Sequence, residues 1–138
     1  MATPITNEKQ KLKILVVDDE YDVAITLKTI LEEEQESSSY NKFEVDIFND
    51  PKLALSNFKA GCYDLLLIDI LMPKMNGFEL CKQLKGVDDK VKVCFITAYE
   101  IYYRALRDLF PSMEVDCFIA KPIGKKELVS KINSELKD

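Results

Sequence analysis

Four short runs in this chain, Ile14–Val17, Leu65–Ile68, Val91–Ile96 and Cys117–Ala120, are almost continuously apolar. A strand with one face in water alternates apolar and polar residues. A strand that is apolar along its whole length is covered on both faces, as in a parallel sheet between helical layers. A fifth run, Phe43–Phe48 (FEVDIF), does alternate and suits a more exposed edge strand.

The segments between these runs have helical spacing. Asp22 to about Gln35 places Val23, Ile25–Leu27, Ile30 and Leu31 on one side. Asp50 is an N-cap candidate before Pro51 at the first helical position, with Gly61 as the stop. Asn76 caps a third segment from Gly77 to Lys85 that ends at Gly86. A fourth lies between Tyr99 and Phe110, before Pro111, and a fifth covers Lys125–Leu136 with Leu128, Val129, Ile132 and Leu136 on its apolar face. Strand and helix alternate five times, which predicts a three-layer α/β sandwich with right-handed crossovers. The polar, serine-rich stretch Glu32 to Lys42 reads as a frayed helix end and a loop.

A polar residue follows each buried run: Asp18 and Asp19 after KILVV, Asp69 after LLLI, Thr97 after VCFI and Lys121 after CFIA. In an open parallel sheet the carboxyl ends of the strands share one edge, where ligands bind. Hard carboxylate oxygens suit Mg²⁺, which takes one or two carboxylates together with a phosphate. Without a cation, carboxylates this close repel, and one of them binds a proton more readily. Taken alone, the three aspartates also fit helix caps. The hydroxyl and the amine at two further strand ends favour a metal-assisted phosphate site.

Composition narrows the classes. In 138 residues, 24 acidic side chains stand against 19 basic ones, so no basic footprint for nucleic acid is present. The lysines near the end alternate with Glu127, Glu135 and Asp138, as on a solvated helix face. No apolar stretch is long enough to span a bilayer, and MATPITNEKQK lacks the apolar core of a secretory signal; the expected location is cytoplasmic. The chain holds no histidine, which removes Ser-His-Asp and Cys-His catalysis and a Cys-His zinc site. The four cysteines, Cys62, Cys81, Cys94 and Cys117, form no CxxC pair and are expected as buried free thiols.

The motifs VVDDE (Val16–Glu20), LLLIDILMPKMNGFEL (Leu65–Leu80), ITA (Ile96–Ala98) and FIAKP (Phe118–Pro122) resemble those of the receiver domain of two-component response regulators. The resemblance runs from about Lys11 to Lys137. It implies a flavodoxin-like, five-stranded parallel sheet of order 2-1-3-4-5. It also implies a single receiver domain over residues 1–138, with 1–11 as a polar N-terminal tail and no output domain. Asp69 is then the phosphoacceptor. Asp18, Asp19, Asp69 and the backbone carbonyl of Leu71 hold Mg²⁺. Thr97 and Lys121 contact the phosphoryl group, and the amide of Ala98 adds a donor. Phe118 takes the family's aromatic switch position, with plain core packing as its other reading.

The implied activity is a phosphorylation-dependent switch. A sensor histidine kinase or phosphotransfer protein supplies the phosphoryl group. The face made by the fourth helix, fifth strand and fifth helix carries the signal to a target protein or a second copy. The chain is not expected to be an enzyme beyond its own phosphoryl transfer and slow autodephosphorylation. Neither nucleic acid nor membrane is an expected partner. Two rivals remain. A haloacid-dehalogenase-like Mg²⁺ phosphatase uses similar groups but wants an acid where Leu71 stands. A pseudo-receiver that binds partners without phosphorylation has no need of an intact acidic set. Leu71 and Tyr99 are bulky beside the phosphoacceptor and predict a long-lived aspartyl phosphate. Tyr99, Tyr102, Tyr103 and Phe110 also supply aromatic surface of the kind enriched at interfaces.

Overall fold

A computed structural model describes residues 10–33, 41–98, 108 and 117–137. The elements are β1 (Gln10–Val17), α1 (Tyr21–Glu33), β2 (Asn41–Phe48), α2 (Pro51–Asn57), β3 (Leu65–Asp69), α3 (Gly77–Val87), β4 (Lys92–Thr97), β5 (Cys117–Ala120) and the C-terminal helix α4 (Lys125–Leu136). All strand pairs are parallel, in the order β2-β1-β3-β4-β5. This is the flavodoxin-like arrangement expected from the sequence. The expected helix between Tyr99 and Phe110 falls almost wholly outside the described residues, as do Tyr99, Tyr102 and Tyr103 themselves.

The continuous apolar runs have a direct explanation. In β1, Leu12, Ile14 and Val16 point into one core with Ala24, Leu27 and Leu31 of α1 and Leu128 and Ile132 of the C-terminal helix. Leu15 and Val17 point into the other core, with Ala54 of α2 and Phe78, Leu80 and Leu84 of α3. A period of two therefore serves two cores, and neither face of the central strands meets water.

β2 forms one edge, as its alternation predicts. The backbone N–H of Val45 donates to Glu32 Oε2 at 2.9 Å, and its carbonyl accepts from Lys28 Nζ at 2.5 Å. An i,i+4 pair on α1 thus occupies backbone groups on the open side of the strand, one way of blunting an exposed edge.

Several expected boundaries are corrected. β1 begins at Gln10 and β2 at Asn41, so the polar tail does not extend to residue 11. Polar side chains do not stop a ladder made by the backbone, and Lys11 pairs with Glu44 at 2.6 Å. Gly61 does not end α2. That helix closes at Asn57 with Phe58 as its cap, and Gly61 sits in the following turn at φ +80°, its N–H on Asp88 Oδ2. Gly86 lies inside the last turn of α3, which ends at Val87 with Asp88 as its cap. Ile25 is exposed rather than on the inner side of α1.

The cysteines also differ from expectation. Cys81 is a buried free thiol and Cys62 is an exposed one, while Cys94 and Cys117 are joined as a disulfide. The two lie directly opposite each other in the β4–β5 register, a juxtaposition that sequence spacing alone does not reveal.

Candidate functional site

β1 and β3 are adjacent, so their ends bring Asp18, Asp19 and Asp69 to one place. One carboxylate oxygen from each lies within 4.8 Å of the others. Asp18 and Asp69 are buried and Asp19 is half-buried. Asp18 is held by its own loop: Oδ1 accepts from the Glu20 N–H at 2.9 Å, and its N–H donates to the Phe48 carbonyl at 3.1 Å.

Lys121 comes from the far end of the sheet, just after β5. Its N–H donates to the Thr97 carbonyl at 2.8 Å, which fixes the backbone, and the following Lys121–Pro122 bond is cis. The ammonium lies 2.7 Å from Asp18 Oδ2 and 3.8 Å from Asp69 Oδ2. The resemblance aims this lysine at the phosphoryl group; its direct hydrogen-bond partner is Asp18.

One ammonium against three carboxylates leaves an excess of negative charge, and Asp69 registers it. Its pKa is pushed up to about 8. Burial is the largest cause, followed by the charge of Asp18; Lys121 pulls the other way, and Asp19 adds a hydrogen bond and its own charge. A dication would compensate this cluster, and carboxylate oxygen is the donor type that Mg²⁺ takes. The residues present fit that ion.

The remaining expected residues lie just past β3, at the end of β4 and on β5. Thr97 is buried at the end of β4, and Ala98 follows it at the surface. Leu71 is half-buried, two residues past Asp69, and packs on the core beneath α3. Phe118 is half-buried on β5 and packs on the same core.

Gly77 has a role that the sequence only hinted at. A β-carbon there would meet the Asp69 carbonyl oxygen at 2.3 Å and Ile70 Cα at 2.9 Å, while the Gly77 N–H donates to the Ile70 carbonyl at 2.8 Å. Only a residue without a side chain lets α3 start against the backbone that carries Asp69. Beside Lys121, a groove of about 580 Å³ runs along α1, lined by Val23, Thr26, Leu27 and Ile30 and by Pro122 and Ile123.

A doubly wound sheet with an acidic cluster at the carboxyl ends of β1 and β3 fits a phosphate-handling switch or enzyme. Comparison with known proteins decides which. The family model for the response regulator receiver domain matches residues 14–133, and the chain belongs to that family. It is 34% identical over 125 residues to the transcriptional regulatory protein SpaR of Bacillus subtilis and 32% identical to the response regulator ArlR of Staphylococcus saprophyticus. Each match covers 91% of this chain and 52% of the relative, so the chain spans about half the length of those curated relatives.

Among solved structures, it resembles the response regulator TrrA from Thermotoga maritima in complex with Mg²⁺–BeF. That match has a TM-score of 0.73 and 31% identity, over 91% of this chain and 99% of TrrA. A CheY-like receiver domain from Methanospirillum hungatei matches with a TM-score of 0.73 and 27% identity, over 92% and 94%. The family is one of phosphorylation-dependent signalling proteins rather than turnover enzymes. Among the described residues, no helix is long and apolar enough to cross a membrane.

Proposed function

We propose that the chain is one receiver domain that accepts a phosphoryl group on Asp69 from a phosphohistidine partner and reports it through the β5 side of the sheet. The observation that carries this reading is the convergence of Asp18, Asp19 and Asp69 with Lys121 at one sheet edge. Asp18, Asp19, Asp69 and the Leu71 carbonyl would hold Mg²⁺, which would supply charge neutralisation for the phosphoryl oxygens.

The chain's own residues do the rest. The Asp69 carboxylate attacks phosphorus, the bond to the donor's imidazole nitrogen breaks, and an aspartyl phosphate forms. Ionised Asp69 is the nucleophile, so whatever lowers its raised pKa also activates it. Lys121, now on Asp18, swings its ammonium to a phosphoryl oxygen. The Thr97 hydroxyl and the Ala98 amide donate to the others.

The groove along α1 beside Lys121 supports docking of the phosphodonor protein, a sensor kinase or phosphotransfer protein, and the same helix exposes Tyr21 and Ile25. The output surface includes β5 and the C-terminal helix and meets a target protein or a second copy. Movement of Thr97 toward the phosphoryl group and of Phe118 behind it links site to surface. The reading places the chain in the cytoplasm, and no contact of this domain with nucleic acid or membrane belongs to it.

Incubation with Mg²⁺ and acetyl phosphate, followed by intact mass, tests the proposal. A gain of one phosphoryl group that requires Mg²⁺ is expected. Rapid multiple turnover of phosphate esters would favour the phosphatase instead, and no gain at all would favour a phosphorylation-independent binding module.

A further inference from the structure

Two sulfur side chains outside the acidic site face each other across the outer strand pair. Cys94 of β4 is register partner to Cys117 of β5, their Cα atoms are 4.5 Å apart, and both side chains lie in the core beneath α1 and the C-terminal helix. That separation falls within the span a disulfide bridges. Cys62 and Cys81 have no such partner among the described residues.

Placement gives the pair its consequence. β5 is four residues long and, among the described residues, pairs with β4 alone. Beyond that ladder, Lys131 Nζ donates to the Phe118 carbonyl at 3.1 Å, and the Lys121 N–H donates to the Thr97 carbonyl. Going along the pair, Cys94–Cys117 is followed by Phe95–Phe118, Ile96–Ile119 and Thr97–Ala120. A covalent tie at the first rung pins the strand that carries Phe118 and leads into Lys121.

We propose that Cys94 and Cys117 are a reversible redox site, oxidised by a small disulfide, that fastens β5 to β4. Cys117 is 7% exposed and Cys94 fully buried, so the oxidant meets Cys117 first. The Cys117 thiolate attacks the small disulfide and expels one thiolate. The Cys94 thiolate then attacks the Cys117 sulfur and expels the second. Overall, two protein thiols become one disulfide while the small disulfide is reduced to two thiols, which take up the two protons. Excess dithiol reverses the reaction.

The test uses the full chain in buffers of varied oxidised-to-reduced glutathione ratio, acid-quenched, unfolded, alkylated and mapped by mass. Two alkyl groups, on Cys62 and Cys81, are expected at oxidising ratios and four at reducing ones, with a linked peptide pair holding Cys94 and Cys117. Hydrogen exchange of the β5 amides is expected to be about tenfold slower in the oxidised form. Cys117→Ala and Cys94→Val should each abolish both effects; if one variant fails to fold, the other carries the comparison. Four alkyl groups at every ratio, a stable glutathione adduct without closure, a link to Cys62 or Cys81, or equal β5 exchange in the two forms would each overturn the proposal. None of these readouts depends on phosphorylation, so they stand apart from the receiver reading.

Discussion

Lys121 and Asp18 tie the two halves of the sheet together: the ammonium that follows β5 is 2.7 Å from a carboxylate that follows β1. Both groups are largely withdrawn from water, so the pair is screened far less than a surface ion pair. Removing the cation leaves Asp18 buried beside two more carboxylates. Lys121→Met is expected to lower stability by on the order of 1–3 kcal/mol without Mg²⁺, since proton uptake by the acidic cluster limits the loss. Urea unfolding at neutral pH, with and without Mg²⁺, checks this. Equal unfolding midpoints for variant and parent in Mg²⁺-free buffer would show that the pair contributes nothing.

Asp69 makes stability depend on pH in an unusual sense. Its folded pKa is raised, from 3.8 to about 8, so the folded state holds the proton more tightly than the unfolded chain. The stability contribution is therefore complete below about pH 4 and is lost as pH rises toward 8. Asp69→Asn removes that loss. In Mg²⁺-free buffer at pH 8 the variant should be more stable than the parent by at least about 1.4 kcal/mol, the worth of one pKa unit. At pH 4 the difference should nearly vanish. Thermal unfolding across the range reads it; a difference that does not grow with pH would count against the charged cluster.

Gly77 packs against the backbone of the residue proposed to carry the phosphoryl group. Gly77→Ala forces either α3 or the Asp69 peptide to shift, at a cost of about 1–3 kcal/mol. The expected signature is double: lower stability, and a loss of Mg²⁺-induced thermal stabilisation larger than Gly86→Ala produces. At Gly86 an added β-carbon meets nothing within 4 Å, which makes that variant the control.

Leu71 follows Asp69 by two residues and is half-buried. On the proposal that its side chain shields the phosphoryl group from water, Leu71→Asn is expected to speed decay of the aspartyl phosphate by roughly tenfold, about 1.4 kcal/mol of barrier. Decay followed by intact mass measures this directly. An unchanged lifetime would remove Leu71 as the shield.

Much of this was legible because the relevant signals are local. The runs at Ile14–Val17 and Leu65–Ile68 announce doubly covered strands by lacking alternation, and Asp18, Asp69, Thr97 and Lys121 announce a shared edge by ending them. What stayed hidden depends on the third dimension. That Lys121 hydrogen-bonds Asp18 rather than Asp69 follows from where the loop after β5 crosses the sheet. That Cys94 meets Cys117 follows from the β4–β5 register, and two apolar runs do not encode register by themselves. Gly61 and Gly86 misled for the opposite reason: a glycine near a helix end looks like a stop, yet Phe58 and Asp88 terminate those helices through backbone hydrogen bonds.

The most direct measurement concerns the chemical identity of the modified residue. The chain is phosphorylated with acetyl phosphate and Mg²⁺, reduced with borohydride, digested and sequenced by mass. Aspartyl phosphate is reduced to homoserine, and the account predicts homoserine at position 69 alone, with none in Asp69→Asn. Homoserine at Asp18 or Asp19 of the parent chain, or none anywhere despite an intact fold, would contradict it.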